Sequence, residues 1–259
     1  MTNVKNGESG MLKNLGIVQA SFHLPRFRAN ASRTVGGRSL LEWVIRRVTD
    51  SMRLDGVIVV AGESADRHHL RRFVPNDVPV FLGKENDALS QFNGAIEQCP
   101  AEGVVRVRGD NLFVDPGLID RLVNTAELHP TCDYISYCLR DGRPAILSPV
   151  GVYAEWFRAG ALRKVHRQAR DPVDREHVTR YLYSHPEQFK LRLIPAPSEI
   201  DRDDVRLTVD MEEDWDHALA ICDALGPERV DWQRIAALLA HQPALRSRMA
   251  VLNRDCAGV

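Results

Sequence analysis

The stretch VVRVRGDNLFVDP (Val104–Pro116) decides the fold class. It begins with a short valine-rich run that lacks period-2 alternation, which is typical of a strand covered on both faces. The run ends at Arg108, a glycine then permits a tight turn, and Asp110 follows at the carboxyl end of the predicted strand. A segment of helical period, Pro116–Glu127, comes next. A buried strand followed by a turn and a helix is typical of one unit of an α/β fold.

Similar units precede this stretch from Leu15 onward, because short β-rich runs alternate with segments of helical period. This alternation predicts a doubly wound, mostly parallel sheet flanked by helices. Ligands bind such sheets outside the carboxyl ends of the strands, so we expect the following loops to converge on one crevice. The predicted strands are Leu15–Ala20, Gly56–Ala61, Val78–Gly83 and Val104–Arg108, and the predicted helices are Ser39–Asp50, Ala65–Phe73, Ala88–Gln98 and Pro116–Glu127.

The alternation loosens after about residue 133. We therefore expect a disordered arm over residues 1–14, one domain over residues 15–225 with a mixed-topology insertion around residues 133–200, and a helical tail over residues 226–259. The predicted strands of this half are Tyr134–Leu139, Ala145–Ala154, Lys190–Ala196 and Val205–Asp210, and the predicted helices are Ala154–Gln168, Arg175–His185 and Met211–Leu225.

Composition excludes several classes of partner. The 259 residues carry interspersed charges and a formal net charge of −1, so no bulk attraction to nucleic acid or anionic membrane is expected. No apolar run approaches the roughly 20 residues of a membrane helix, and the polar first residues do not resemble a signal peptide. The five cysteines form no CxxC pair, which predicts reduced thiols. We expect a cytoplasmic protein.

Asp110 and Asp210 are candidate metal ligands, because each ends a predicted strand. Two such aspartates can converge on one Mg²⁺, which prefers a few carboxylates together with substrate phosphates. Local sequence leaves other interpretations open. Gly-Asp is a common turn pair, and Asp210 is a good N-cap for the acidic first turn of Met211–Leu225.

The segment DPVDREHVTRYLYSH (Asp171–His185) holds further polar candidates. Asp174 is predicted to cap a helix, and Glu176 and His177 lie in its first turns, where a histidine has either a structural or a functional role. The chain has no GxSxG, Walker, GxGxxG or HExxH motif, which disfavours hydrolase, P-loop and dinucleotide-binding functions.

A series of motifs in a fixed order resembles the cytidylyltransferase-like family of spore coat polysaccharide biosynthesis protein F. Enzymes that make CMP-activated sugar acids, such as CMP-Kdo, are related to this family. The resemblance runs from about Leu15 to Asn253 and includes the C-terminal stretch IAALLAHQPALRSRMAVLNRD. The other matching stretches are IVQA, GGRSLLEWVIRRV, VPVFLGKENDAL, VVRVRGDNLFVDPGLID, PVGVYAEWF, DPVDREHVTRYL and VRLTVDMEEDW.

The resemblance implies a Rossmann-like, GT-A-like nucleotidyltransferase fold with a mixed, mostly parallel sheet. It implies CTP as the nucleotide, Mg²⁺ as the cofactor and a small acidic acceptor such as a sugar acid, with no nucleic-acid or membrane partner. An acceptor oxygen would attack the α-phosphate, and pyrophosphate would leave. The oligomeric state stays open, although related sugar-acid cytidylyltransferases often form homodimers through the inserted segment.

The family motifs also imply residue roles. Asp110 falls on the aspartate of the family's GD motif and Asp210 on the first aspartate of its TVDTPED motif, so both would hold the metal and, with Arg26, form the catalytic set. The implied nucleotide-binding residues are Gln19, Ala20, Ser21, Arg26, Arg28, Arg33, Asp87, Arg108 and Asp110, and the implied acceptor-binding residues are Tyr153, Glu155, Glu176 and His177.

The first loop, residues 21–33, departs from the family pattern QARxxSxRLPGK. An ungapped alignment keeps the second arginine but places Ser21 at the first arginine and Asn30 at the lysine. A register shifted by three residues places His23 and Phe27 at the second arginine and the lysine. In either register at least two of three positive charges are absent. Loss of one well-placed donor typically costs about 3–4 kcal/mol of transition-state stabilisation.

Two functional hypotheses remain at this point. One is a working nucleotidyltransferase in which Arg28 or Arg33 reaches the phosphates. The other is a catalytically impaired homologue that binds a nucleotide or serves as a scaffold in a polysaccharide or natural-product pathway. A GT-A glycosyltransferase is disfavoured, because the strand-end motif is GDN rather than DxD. Further departures from the family pattern are Gln91, Tyr153 and Glu212.

Overall fold

The structure is a computed structural model that describes residues 11–21, 25–63 and 70–257, with only the backbone of residues 25–27 and 257. Its strands are β1 (Leu12–Ala20), β2 (Thr34–Val35), β3 (Arg38–Ser39), β4 (Gly56–Gly62), β5 (Val80–Gly83), β6 (Ala101–Arg108), β7 (Tyr134–Cys138), β8 (Glu155–Arg158) and β9 (Leu191–Pro195). Seven of them form one sheet in the order β5-β4-β1-β6-β8-β7-β9. Strand β8 is antiparallel to both neighbours, and the other pairs are parallel. The predicted mixed, mostly parallel α/β fold is confirmed.

Helices cover both faces of this sheet. They are α1 (Pro25–Ala31), α2 (Leu40–Thr49), α3 (Ala88–Gln98), α4 (Pro116–Leu128), α5 (Ala159–Gln168), α6 (Pro172–Glu176), α7 (Arg180–Ser184), α8 (Glu212–Leu225), α9 (Trp232–Ala240) and α10 (Pro243–Ala257). Short 3₁₀ turns occur at Ala145–Leu147 and Pro227–Arg229. No helix in the described ranges is long and apolar enough to cross a membrane.

The first half of the fold follows from local signals. Strands β1, β4 and β6 are almost entirely buried, as expected for parallel strands covered on both faces. Ser39, Asp87 and Asp115 cap α2, α3 and α4, and each accepts a hydrogen bond at 3.0–3.1 Å from the backbone N–H three residues later. The four strands predicted there and the helices predicted over Ser39–Asp50, Ala88–Gln98 and Pro116–Glu127 are therefore present.

Some boundaries of this half differ from the prediction. Strand β1 begins at Leu12, which pairs with Ala101, so residues 12–14 belong to the sheet and not to a disordered arm. Residues 1–10 lie outside the described part of the chain. The helix predicted over Ala65–Phe73 falls largely on residues 64–69, which also lie outside it.

Strand β8 contradicts the helix that we predicted over Ala154–Gln168. Residues Glu155–Arg158 pair with β6 on one side and with β7 on the other, and α5 begins only at Ala159. Pairing on both edges and burial of aromatic side chains outweigh the helical period of this stretch. The preceding segment, predicted as the strand Ala145–Ala154, is instead a 3₁₀ turn followed by irregular backbone.

The stretch Val205–Asp210, which we call the crossing segment, was wrongly predicted as a strand. It belongs to neither sheet. The N–H of Leu207 donates to the carbonyl of Pro149 at 2.8 Å, and the N–H of Val209 donates to the carbonyl of Asp110 at 3.0 Å. Val205, Leu207 and Val209 are all almost fully buried. The apolar, β-branched residues of this segment therefore reflect its burial between loops and not membership of a sheet.

The helix predicted over Arg175–His185 is split into α6 and α7, with a break at residues 177–179. At this break the hydroxyl of Thr179 donates to the buried carboxylate of Glu155 at 2.9 Å. The cap of α6 is Asp171 and not Asp174, since the Asp171 carboxylate accepts from the N–H of Val173 at 2.9 Å. Asp174 instead accepts from the guanidinium of Arg180.

The apolar core has one cluster on each face of the sheet. Helices α2, α4 and α8 contribute to the first cluster, into which Ile235 of α9 and Met249 of α10 also pack. Helices α3 and α5 contribute Phe92 and Leu162 to the second cluster. The five cysteines form no disulfide among the described residues. The C-terminal helices are thus part of the packed fold.

Candidate active site

A cavity of about 780 Å³ lies at the carboxyl ends of β1, β4 and β6. Its position agrees with the rule for open α/β sheets. Nine of the predicted site residues line it: Gln19, Ala20, Ser21, Asp87, Arg108, Asp110, Glu176, His177 and Asp210. Four described residues of the predicted set do not: Arg28, Arg33, Tyr153 and Glu155.

Asp110 is placed by the turn that follows β6. The N–H of Gly109 donates to the carbonyl of Gln19 at 2.9 Å, which joins this turn to the end of β1. The Asp110 carboxylate accepts two hydrogen bonds from Arg108, one from Nε at 3.1 Å and one from Nη2. The strand end therefore presents a carboxylate that already has a cationic partner.

Asp210 is placed by the crossing segment and by the start of α8. Its own N–H and that of Met211 each donate to the Asp214 carboxylate at 3.0 Å. Asp214 in turn accepts from Arg206, at 2.6 Å from Nε and 2.9 Å from Nη2. The sequence had left open that Asp210 caps α8, but the N-cap of this helix is Met211. The carboxylate of Asp210 faces the cavity instead.

The two aspartates have opposite pKa shifts. Burial raises the pKa of Asp110, but the charge and hydrogen bonds of Arg108 outweigh it, so the pKa lies below its ordinary value. Burial, the neighbouring charge of Asp110 and a hydrogen bond between the two carboxyls raise the pKa of Asp210 to about 6. The carboxylates are therefore close enough to influence each other's ionisation.

Such a pair fits a hexacoordinate divalent cation whose remaining ligands come from a substrate. Mg²⁺ commonly uses one or two carboxylates, several waters and substrate phosphates. The described part of the chain has no group of three or more His, Cys, Asp or Glu side chains that could hold a metal by itself. The donor set of Asp110 and Asp210 thus suits Mg²⁺ brought together with a phosphorylated ligand.

One side of the cavity is formed by the end of β1 and the start of α3. Asp87 lines it, but both its oxygens are engaged, since one caps α3 and the other accepts from Arg175 at 2.7 and 3.0 Å. Asn86, just before it, adopts the left-handed region with φ 56°. Asparagine is one of the residues that adopt this backbone conformation at little cost.

Residues 25–31 of the predicted first loop form helix α1, and the two arginines of the segment whose side chains are described do not line the cavity. Arg33 forms an ion pair with Glu212 and lies 5.6 Å from the ring centroid of Trp215. Arg28 is exposed and does not line the cavity. Residues 22–24, including His23, and the side chains of Arg26 and Phe27 lie outside the described part of the structure.

Asn30, which the ungapped alignment placed at the family's lysine, is buried. Its side-chain amide donates to the carbonyl of Val209 at 3.2 Å, one residue before Asp210. The side chain therefore supports the crossing segment from behind and brings no positive charge to the cavity.

Glu155 lies behind the wall of the cavity rather than on its surface. It is 0% exposed and accepts hydrogen bonds from Arg106, from the Tyr134 hydroxyl at 2.6 Å and from Thr179. Tyr153 is equally buried, and its ring centroid lies 5.2 Å from that of Tyr137. A direct contact of either residue with a ligand in this cavity has no geometric support.

A model of the cytidylyltransferase family matches residues 15–236 of the chain. The chain belongs to the cytidylyltransferase family. It is accordingly a nucleotidyltransferase, and the resemblance found in the sequence motifs is confirmed. The spore coat polysaccharide biosynthesis protein SpsF of Bacillus subtilis is 30% identical over 223 residues, which cover 84% of this chain and 89% of that protein.

Solved structures share the fold of this cytidylyltransferase. A cytidylyltransferase from Leptospira borgpetersenii serovar Hardjo-bovis superposes with a TM-score of 0.79 at 22% identity, covering 91% of this chain and 97% of that one. CMP:2-keto-3-deoxy-manno-octonic acid synthetase, solved with CTP, superposes with a TM-score of 0.62 at 11% identity, covering 82% and 99% of the two chains. Both comparisons bear on the fold alone.

Several residues of the cytidylyltransferase cavity were missed by the sequence analysis. Arg106 could have been found, since it lies two positions before Arg108 in a strand and therefore on the same face. No local pattern indicates Arg206 of the crossing segment, Tyr183 of α7 or Cys256 of α10, which the fold brings to the cavity from distant parts of the chain.

Proposed function

We propose that this protein is a Mg²⁺-dependent cytidylyltransferase that activates a sugar acid or a related acidic acceptor. An acceptor oxygen attacks the α-phosphorus of CTP. The bond between this phosphorus and the oxygen that bridges to the β-phosphate breaks, and pyrophosphate leaves. The observation that carries the proposal is the pair Asp110 and Asp210 on the surface of one large cavity in a cytidylyltransferase fold. The names of the relatives, one in polysaccharide biosynthesis and one a CMP sugar-acid synthetase, support it.

Asp110 and Asp210 are the proposed metal ligands. Asp110 is ionised at neutral pH because Arg108 lowers its pKa, and Asp210 is largely ionised above about pH 6. Bound Mg²⁺ would supply neutralisation of phosphate charge, the main electrostatic need of phosphoryl-type transfer. Asp110 and Asp210 would hold this ion at the surface of the cavity.

Gln19, Ala20 and Ser21 form the proposed nucleotide side, together with Asp87. The Gln19 side-chain oxygen accepts from Arg106 Nε at 2.9 Å, which leaves its amide N–H groups available to a ligand. Gly62 closes the end of β4, where a Cβ atom would lie 2.4 Å from the carboxylate of Glu85.

Glu176 and His177 form the proposed acceptor side, with Thr179 and Tyr183 beside them. Arg106 supplies positive charge between the two sides, and Glu155 fixes its guanidinium from behind through a buried ion pair. An arginine held in this way keeps further N–H donors directed at the cavity, which suits a carboxylate group on the acceptor.

The direct test is pyrophosphate release by the purified protein with CTP, MgCl₂ and a panel of sugar acids. We expect release with at least one acceptor, and a loss of at least about 100-fold in Asp110→Ala. The matched control is Asp141→Ala, which removes an exposed carboxylate outside the cavity and should leave the rate unchanged. Absence of release with every nucleotide and acceptor, together with no CTP-induced rise in Tm, would contradict the proposal.

A second candidate function is binding of a nucleotide without turnover. It is favoured by Arg33, which is engaged with Glu212 and Trp215 instead of lining the cavity. This function predicts that CTP raises Tm in the absence of pyrophosphate release. The same two measurements therefore separate the two candidates.

A further inference from the structure

Arg108 lies between the two carboxylates that are proposed to hold the metal. Its guanidinium donates twice to Asp110, and its Nη2 lies 3.6 Å from Oδ1 of Asp210. Its side chain is 35% exposed at the cavity surface, so it can rotate without unpacking the core. A cation therefore already bridges the pair to which a divalent ion would bind.

The other arginine near this pair cannot replace Arg108. Arg206 Nη2 is 3.8 Å from Oδ2 of Asp210, but its Nε and Nη2 form a two-point interaction with Asp214. Arg206 is only 5% exposed, and removing it would leave Asp214 buried without its counter-ion. Of these two arginines, Arg108 is the one that is free to move.

A divalent ion and the guanidinium of Arg108 cannot both lie between Asp110 and Asp210, because they are like charges competing for the same oxygens. When the ion binds together with a triphosphate, the negative charge on the ligand offers the guanidinium a new partner. Arginine is well suited to it, since its planar fork binds phosphate oxygens as it binds carboxylates. The strand end thereby brings a positive charge to a site whose first loop contributes few.

We propose that Arg108 is a displaceable counter-ion of the Asp110–Asp210 pair, which it releases to a divalent cation while transferring to the phosphates of the nucleotide. The proposal rests on the function proposed above. It assigns to one side chain two successive roles, a competitor of the metal in the nucleotide-free protein and a phosphate ligand in the complex. Metal and nucleotide binding are then coupled, because the ion displaces the same guanidinium that the phosphates attract.

The test measures Mn²⁺ binding without nucleotide, from the electron paramagnetic resonance signal of free Mn²⁺. We expect Arg108→Gln to bind Mn²⁺ about tenfold more tightly than the unmodified protein, because the variant has no competing cation. With a chelator present, calorimetry should show that the same variant binds CTP about tenfold more weakly, because a charged phosphate ligand is lost. The proposal therefore predicts that one substitution strengthens Mn²⁺ binding and weakens CTP binding.

The matched control is Arg46→Gln, which removes the same charge from an exposed ion pair on α2 and should change neither constant. If Arg108→Gln does not fold, Arg108→Lys carries the test. Lysine keeps the charge but lacks the planar fork that donates twice to Asp110, so this variant should bind Mn²⁺ more tightly than the unmodified protein. Unchanged or weaker Mn²⁺ binding by a folded Arg108 variant overturns the proposal, and so does unchanged CTP binding by Arg108→Gln.

Failure of this inference and failure of the proposed function give different results. A protein that releases pyrophosphate but shows no effect of Arg108 on Mn²⁺ binding contradicts the inference alone. A protein whose Arg108 variants show both effects but which never releases pyrophosphate contradicts the catalytic function alone.

Discussion

At position 217, on the buried side of α8, a histidine is 3% exposed and does not line the cavity. Its Nδ1 has no hydrogen-bond partner among the described residues. Burial lowers the pKa of His217, and the nearby positive charge of Arg248 lowers it further, against the opposing charges of Asp214 and Asp216. Arg206 also faces it and acts in the same direction as Arg248. His217 is therefore neutral in the folded protein at neutral pH.

The pH dependence of stability should reflect this histidine. Below the ordinary pKa of 6.5 the unfolded chain binds a proton that the folded protein resists, so the free energy of unfolding falls as the pH drops. His217→Gln, which is uncharged at every pH, should show a smaller loss of Tm between pH 7.5 and pH 5 in scanning calorimetry. Equal losses in the two proteins would show that His217 protonates as easily in the folded state as in the unfolded one.

At the scale of elements, the crossing segment decides where Asp210 lies. It passes directly over Gly151, which has φ 70°. A Cβ atom at this glycine would lie 2.7 Å from the carbonyl carbon of Leu207 and from the nitrogen of Thr208. The position thus needs a glycine for two reasons, its backbone conformation and the close approach of another backbone.

Gly151→Ala should destabilise the protein by about 2 kcal/mol or more, because it combines backbone strain with a clash. It should also weaken Mn²⁺ binding, since the crossing segment and Asp210 must shift. Gly142→Ala is the control: Gly142 also has a positive φ, 83°, but its Cβ would meet nothing within 4 Å. Urea unfolding and Mn²⁺ titration measure both effects. Equal behaviour of the two variants would mean that the close approach is unimportant.

Elements were predictable from sequence where their signals are local. Strands β1, β4 and β6 and their capped helices follow from apolar runs and from Asp or Ser at the caps. Strand β8 was not predictable, because a stretch with helical period becomes a strand only when β6 and β7 are available on both sides. The same holds for the break between α6 and α7, where Thr179 binds the buried Glu155.

At the scale of the whole molecule, the C-terminal helix α10 packs against the segment that leads to Asp210. Asn253 donates through Nδ2 to the carbonyls of Asp203 and Val205, at 2.9 and 3.1 Å. Met249 of the same helix is fully buried in the core, and Cys256 reaches the cavity. Helix α10 therefore supports the segment that carries Asp210 and contributes one residue to the wall of the cavity.

Met249→Ala should lower the free energy of unfolding by about 2–4 kcal/mol, because it deletes fully buried methylene and thioether groups. Val251→Ala, on the same helix but 45% exposed, should cost less than about 0.5 kcal/mol. The difference is read from the midpoints and slopes of urea unfolding curves. If the two costs were equal, α10 would not be packed on the core as the structure has it.

The sequence by itself determined the α/β class, the strand end that presents Asp110 and the family to which the chain belongs. These depend on local patterns, since burial on both faces, a turn glycine and helix caps act within a few residues. Only the tertiary structure decided that Arg108 lies between Asp110 and Asp210 and that Glu155 supports Arg106 from behind. Such contacts join residues far apart in the chain, and they depend on how the crossing segment passes Gly151 and on which strands flank β8.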